Sequence, residues 1–518
     1  MEKIQLSSLL LLIGSVVAAQ NATFKLFPEN KATQVNPDTH IELTFDETPT
    51  LGNTGKISVY DVSTNKLVDM LDLSIHAGPT KSVNHGAATP PYTKTPYQYV
   101  SDNFTNANTK PGTPSGEATA NSDTFQLNII GRFTDAFHFY PVIIHGKTAT
   151  IYLHNNLLTY GKTYSVRIDT EVFVLKDKKF AGIKGSAYLF STKKTAPSVD
   201  AKFYTVSRDG KADFNTVQGA IDYIPDFNPT RKTIYIKNGI YEEIVYFRNK
   251  TNVTFVGEDR DKTVVCYANN EVFNPHPSNV STNEFPGTFP SRRAAFMADN
   301  STGIQLVNFT IQTSSKGQAE GLLIMGKENS LENMHIMGSG DALQANGSVY
   351  LNNCRIDGDG DTYLGRGPTF FNRCEMYSYG TFMWIRNTAA NHGVVMLNSK
   401  LSCSGKGETE IARAPSNKGR DYPYCEAVLL NCQLSGISPV GWGPLGKDVS
   451  NVRYREYNST NLKDGKPVDI SQRLPASRQL TMEKDSVLIQ NYSQPAFVLN
   501  GWNPPTLSVD SILSTLKK

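Results

Sequence analysis

At 518 residues the chain is too long for one ordinary domain, so two are expected. A hydrophobic content of 39% and an aromatic content of 10% are those of a globular protein and exclude a disordered or fibrous one. A formal net charge of +3, with no basic run and no aromatic–basic interleaving, gives no argument for a nucleic-acid partner.

The first element is a targeting segment. Lys3 precedes an apolar run at 9–13, and the small residues Val17, Ala18 and Ala19 follow. This predicts a secretory signal cleaved after Ala19, and the run is too short to span a bilayer. No later segment reads as a membrane helix, so the mature protein is expected to be soluble and extracellular or periplasmic.

Residues 20–195 read as a separate all-β domain, an Ig-like β-sandwich. Alternating runs recur at Ile41–Phe45, 57–60, 125–130, 150–153, 164–168 and 188–191, with turn-rich stretches between them. Residues 78–124 are rich in Pro, Thr, Ser, Asn and Gly and predict a long loop or insertion. Nothing in this domain suggests catalysis, and a spacer is favoured over a substrate-docking module. A polar linker at 193–200 follows. Asp213 then stands as an N-cap before Phe214, Val217, Ile221 and Ile224 at helical spacing, with Pro225 as the stop. A short helix ahead of a solenoid covers the open end of its core. Strands at 233–236 and 253–256 open the stack.

Six later segments share one pattern: Asn308-Phe309-Thr310-Ile311, Asn333-Met334-His335-Ile336, Asn353-Cys354-Arg355-Ile356, Arg373-Cys374-Glu375-Met376, Asn398-Ser399-Lys400-Leu401 and Asn431-Cys432-Gln433-Leu434. Period-two alternation makes each a strand with one buried face. They recur every ~20–33 residues, the range of stacked repeats. Asn tolerates the left-handed backbone of a sharp bend. The pattern reads as a parallel β-helix, whose long open side suits an extended polymer. Cys354 and Cys374 share one repeat position, close enough for a disulfide and equally suited to stacked buried thiols. With no CxxC pair and no nearby His, no metal site is expected, and no cofactor. After about residue 455 the pattern fades into a polar tail.

Several ordered motifs then resemble the pectin methylesterase family. They are Asp209-Gly-Lys-Ala-Asp-Phe-Asn-Thr-Val-Gln-Gly-Ala-Ile-Asp222, Ile234-Tyr-Ile-Lys-Asn-Gly-Ile-Tyr-Glu242, Phe255-Val-Gly-Glu-Asp-Arg-Asp-Lys-Thr263, Ile437-Ser-Pro-Val-Gly-Trp442 and Glu456-Tyr-Asn-Ser459. The resemblance covers about 202–503 and leaves a tail at 504–518. It implies a right-handed parallel β-helix that hydrolyses methyl esters of galacturonan, with two Asp, one Arg and two Gln at the site. Such chemistry needs an ionised carboxylate nucleophile, a protonated carboxyl for the leaving methanol and donors for the oxyanion.

Carried over residue by residue, the family's Gln-Asp-Thr falls on Gly360-Asp361-Thr362. Asp361 becomes the acid candidate, its pKa raised by Asp357 and Asp359. Gly-Thr-Val-Asp falls on Gly380-Thr381-Phe382-Met383, which puts Met383 at the nucleophile position. The Gln of a Gln-Ala-Val-Ala-Leu run falls near Ser339. Leu-Gly-Arg-Pro-Trp falls on 411–416, keeping Arg413 and losing the Trp. Asp341 is the first candidate for a replacement carboxylate and Glu410 the second. Arg366 and Arg386 are candidates for binding galacturonate carboxylates, with solvated surface Arg as the plain alternative. Trp442 is a sugar platform or a core residue, and His392 is structural. The reading is a divergent pectin methylesterase acting on pectin as a monomer. The alternatives are a pectin-binding protein that has lost its nucleophile and a calcium-dependent pectate lyase using Asp357, Asp359 and Asp361.

Overall fold

Asn308, Asn333, Asn353, Arg373, Asn398 and Asn431 all take positive φ, between 51° and 62°. This is the left-handed bend expected at each repeat. The computed structural model describes residues 20–80, 125–131, 136–275, 292–405, 407–417 and 419–516. The signal segment and nearly all of the 78–124 loop lie outside the described residues.

Each bend leads into a short strand: Thr310–Thr313, His335–Met337, Arg355–Gly358, Glu375–Ser378, Lys400–Cys403 and Gln433–Ser435. They stack in parallel and in register within a nine-stranded sheet. Side-chain amides ladder along the bends, with Asn333 Nδ2 donating to Asn308 Oδ1 at 2.8 Å and Asn458 Nδ2 to Asn431 Oδ1 at 2.9 Å. A second parallel sheet runs from Phe203–Val206 to Ser477–Gln479. A third parallel set comprises Val245–Arg248, Phe296–Thr302, Leu322–Glu332, Leu343–Asn352, Tyr363–Gly365, Met383–Ile385 and Ala412–Arg413. Leu322–Glu332 and Leu343–Asn352 belong to both sheets and turn the corner at Gly326 and Gly347. A Cβ there would lie 1.8 Å from a carbonyl oxygen of the preceding coil, so only glycine fits. Three parallel sheets around one apolar core make the expected right-handed parallel β-helix.

The capping helix is Val217–Tyr223, shorter than predicted. Its N-cap is Thr216, which accepts from the Gly219 N–H at 2.9 Å; Asp213 instead accepts from the Thr205 N–H and hydroxyl. Val217, Ala220 and Ile221 close the first coil against Ile234 and Tyr204.

The N-terminal region is a sandwich of a four-stranded and a five-stranded sheet with its own core. It is fixed to the solenoid rather than tethered. Tyr140 stacks on Phe273 at 4.6 Å, and the Asp38 carboxylate accepts from the N–H groups of Asn215 and Thr216 at the start of the capping helix. Glu243 accepts from the next two, Val217 and Gln218. Burial outweighs these bonds and pushes Asp38 up to about 6 and Glu243 to about 7.

The predicted polar tail is ordered. The helices Met482–Tyr492 and Pro495–Val498 lay Ile489, Tyr492 and Val498 on Phe370, Val395 and Val428, on the outer face of the second sheet. A last helix, Val509–Leu516, covers Tyr235, Val256 and Val307 on the same sheet. Among the described residues, no helix is long and apolar enough to cross a membrane. All six cysteines are free thiols. Cys354, Cys374 and Cys432 sit in one inward column of the core, with Ser399 between the last two.

Candidate active site

Leu322, Leu343, Tyr363, Met383 and Ala412 are successive register partners, and all lie in the solenoid core. Met383 is therefore coil filling, 0% exposed, and faces no solvent. This corrects its expected place at the nucleophile position. Two residues ahead of that column stand Glu320, Asp341, Asp361, Thr381 and Glu410, one per coil. Neighbouring strands lie ~4.8 Å apart, so the carboxylates of adjacent coils feel one another.

Asp361 sits in a tight turn with φ 45°. Arg413, on the strand Ala412–Arg413, grips it with a guanidinium fork. Nε donates to Oδ1 at 2.7 Å and Nη2 donates to Oδ2. That geometry fits an ionised carboxylate, and the partnership raises the Arg413 pKa. Asp341, one coil earlier, is 8% exposed. Arg293 reaches it with Nη2 at 2.6 Å while Nε spans both Glu320 oxygens at 2.8 Å and Nη1 holds Gln318 Oε1 at 2.8 Å. Burial pushes Asp341 up to about 6. Arg293 and Arg386 oppose the rise, and the charges of Glu320 and Asp361 add to it. One carboxylate is thus held charged and its neighbour is biased toward the protonated form.

The Pectinesterase family profile matches residues 204–500. This chain belongs to the pectinesterase family. The sandwich lies outside the match. Pectinesterase QRT1 of Arabidopsis thaliana is 27% identical over 295 residues, 54% of this chain and 73% of that protein. Probable pectinesterase/pectinesterase inhibitor 42 of the same plant is 32% identical over 139 residues, 27% of this chain; the match spans only 24% of that relative's length. Among solved structures, pectin methylesterase from carrot is 21% identical with a TM-score of 0.48, covering 62% of this chain and 98% of that one. PemA from Erwinia chrysanthemi is 20% identical with a TM-score of 0.46, covering 60% and 100%.

Gly358-Asp359-Gly360-Asp361 also carries the Gly-x-x-Asp spacing, one coil before Gly380-Thr381-Phe382-Met383, and Gly340-Asp341-Ala342 stands one coil before Gly360-Asp361-Thr362. Asp357 and Asp359, expected to press like charge on Asp361, are engaged elsewhere. Asp357 is held by His335 and Arg355, and Asp359 by Ser339 at 2.6 Å and Lys316 at 3.7 Å. The three carboxylates turn to three separate sets of partners and do not converge on one cation.

Arg386 is 6% exposed, not a solvated surface residue. Its Nε and Nη2 have no hydrogen-bond partner among the described residues. Burial lowers Arg366 to about 9 and Arg386 to about 10; the charge of Arg386 adds to the first shift and that of Arg293 to both. Glu410 is half-buried and accepts from the Thr381 hydroxyl at 3.2 Å, with no contact to the Asp361–Arg413 pair. Trp442 is 1% exposed and stacks on Tyr454 at 4.6 Å, so it is core and not a sugar platform. His392 is held by Glu426 at 2.7 Å.

Three site residues escaped the sequence reading. The guanidinium groups of Arg386 and Arg413 both lie over the Trp384 ring, 4.5 and 4.7 Å from its centre. Arg293 comes from a segment outside every repeat. Gln318 was legible: Gln318-Ala319-Glu320-Gly321-Leu322 keeps Gln, Ala and Leu of the Gln-Ala-Val-Ala-Leu run. Ser339, where that Gln was expected, donates to Asp359 instead.

Proposed function

We propose that this chain hydrolyses methyl esters of galacturonan and releases methanol, with Asp361 as nucleophile and Asp341 as acid and then base. The observation that carries the reading is the Asp361–Arg413 fork one coil from a buried, proton-holding Asp341. Asp361 attacks the ester carbonyl carbon, and the C–O bond to methoxide breaks. Asp341 gives that oxygen its proton, and methanol leaves an acyl-enzyme anhydride. Asp341, now ionised, takes a proton from water, whose oxygen attacks the anhydride. The galacturonic acid is freed and loses its proton to solvent, Asp361 regains its charge and Asp341 its proton.

Gln318, whose side-chain oxygen is engaged by Arg293, keeps its amide N–H groups for the developing oxyanion. Arg366 and Arg386 supply charge for neighbouring galacturonate carboxylates. The protein acts outside the cell, where pectin is. The non-catalytic reading drew on Met383, whose burial in the coil stack supports a nucleophile elsewhere.

The test is methanol release from highly methylated pectin by the mature protein beside Asp361→Asn and Asp341→Asn. Release by the natural sequence and near-complete loss in Asp361→Asn are expected. Pectin binding without methanol release by the natural sequence would overturn the proposal in favour of a binding protein.

A further inference from the structure

We propose that the N-terminal region is a working part of the active site: its strand Ala136–His138, which pairs with Leu127–Ile129 in a two-stranded sheet beside the sandwich, fixes the segment 292–294, and that segment's Arg293 in turn positions Asp341. The inference rests on the hydrolase reading above for Asp341's role, while the linkage itself rests on contacts.

The free edge of Ala136–His138 is met by a side chain in place of another strand. Asn274 accepts from the His138 N–H at 2.8 Å and donates to its carbonyl at 3.2 Å. The same Asn274 amide donates to Asn269 Oδ1 at 2.9 Å. Asn269 then donates to two carbonyls at 2.8 Å each, those of Arg292 and Ala294, on either side of Arg293. Asn269 and Asn274 are both 0% exposed, so a break anywhere in this chain strands a buried polar group. A second link runs alongside it. The Arg292 guanidinium lies 3.8 Å from the centre of the Phe137 ring.

With its backbone held on both sides, Arg293 is aimed at Gln318, Glu320 and Asp341, with Glu271 also at 3.7 Å. Asp341 is faced by Arg293, Glu320, Asp361 and Arg386, with Arg366 and Arg413 also within electrostatic reach. Arg293 touches no reacting atom and is a positioning residue. The N-terminal region, which the Pectinesterase profile does not cover, thereby sets the proton affinity of the group that serves the leaving methanol.

The experiment is an NMR titration of the full mature chain labelled with 13C at the Asp carboxyl carbons, with the Asp341 signal assigned by its loss in Asp341→Asn. Arg293→Gln is expected to move the Asp341 midpoint up by about 1–3 pH units. Asn274→Ala and Phe137→Leu are expected to move it in the same direction by less. His145→Gln removes a sandwich–solenoid contact, the 2.8 Å bond to Glu242, that is no part of this chain, and it should leave the midpoint in place. Phe137→Leu keeps an apolar side chain in the position and reads the link even if Asn274→Ala does not fold. Wild-type titration in Asn274→Ala and Phe137→Leu, or in Phe137→Leu alone should Asn274→Ala not fold, would overturn the proposal, as would an equal shift in His145→Gln. Methanol release by the same samples separates the two claims. Shifted midpoints without any release in the natural sequence sink the hydrolase reading alone, and release with unmoved midpoints sinks the coupling alone.

Discussion

Arg413→Lys keeps the charge beside Asp361 and removes the fork. Arg413 makes two charge-assisted bonds to Asp361 and one ring contact, with the Trp384 face at 4.7 Å. A lysine ammonium is a point donor and reaches one oxygen. The loss is therefore one charged hydrogen bond, about 1.5–3 kcal/mol, and part of a cation–π contact, about 0.5–1 kcal/mol. The side chains are 29% and 15% exposed, so solvent screens the pair a little and the low end applies. About 2 kcal/mol, if felt wholly in the orientation of the attacking oxygen, is roughly a 30-fold loss in kcat/KM at ~1.36 kcal/mol per tenfold. Arg413→Ala leaves Asp361 without a counter-charge and should lose considerably more. The assay is initial-rate methanol release on highly methylated pectin, with a thermal melt of each variant. A lysine variant with full kcat/KM, or one that loses melting temperature and keeps its rate, would refute the idea that the fork orients a nucleophile.

Asp341 holds a proton below about 6 and gives it up above, so kcat/KM should fall as pH rises through that value. A pH–rate profile that stays flat from 5 to about 8 would count against its acid role. Met383→Leu should leave methanol release unchanged and cost under about 1.5 kcal/mol of stability by denaturant melt. Met383→Asp buries an unpaired carboxylate at a fully enclosed position and should unfold the solenoid without creating a nucleophile. Glu243 and Asp38 titrate at about 7 and 6 in the fold against ordinary values of 4.5 and 3.8, so the folded state binds more protons in between. Melting temperature should therefore rise as pH is lowered from about 7 to 5, and Glu243→Gln should flatten that rise.

Much of this molecule was legible because its repeat is local. Polar–apolar alternation after an Asn bend fixes which face of each coil strand is buried, and all six predicted bends carry the left-handed backbone. Inner strands of the second sheet such as Val253–Gly257 and Glu426–Leu430 are buried on both faces, inside by the core and outside by the C-terminal helices. Nothing in the tail's polar composition announced the apolar stripe of Ile489, Tyr492 and Val498. The site was half legible for a related reason. Successive coils look alike, so Gly-x-x-Asp fits two neighbouring coils, and it is the inward register of Tyr363 and Met383 that favours the earlier one. Arg293 and Trp384 act across coils, through contacts that no spacing along the chain encodes.

The sulfur of this protein has a consequence for its making. Cys354, Cys374 and Cys432 fill the solenoid as small apolar side chains, and burial pushes Cys432 to about 12 and Cys354 well above its usual range. A thiol held so far from its thiolate is a poor partner for exchange or oxidation. The coil stack therefore needs no oxidant to close and no isomerase to sort its pairings, and a reducing cytoplasm should yield the same fold as a secretory route.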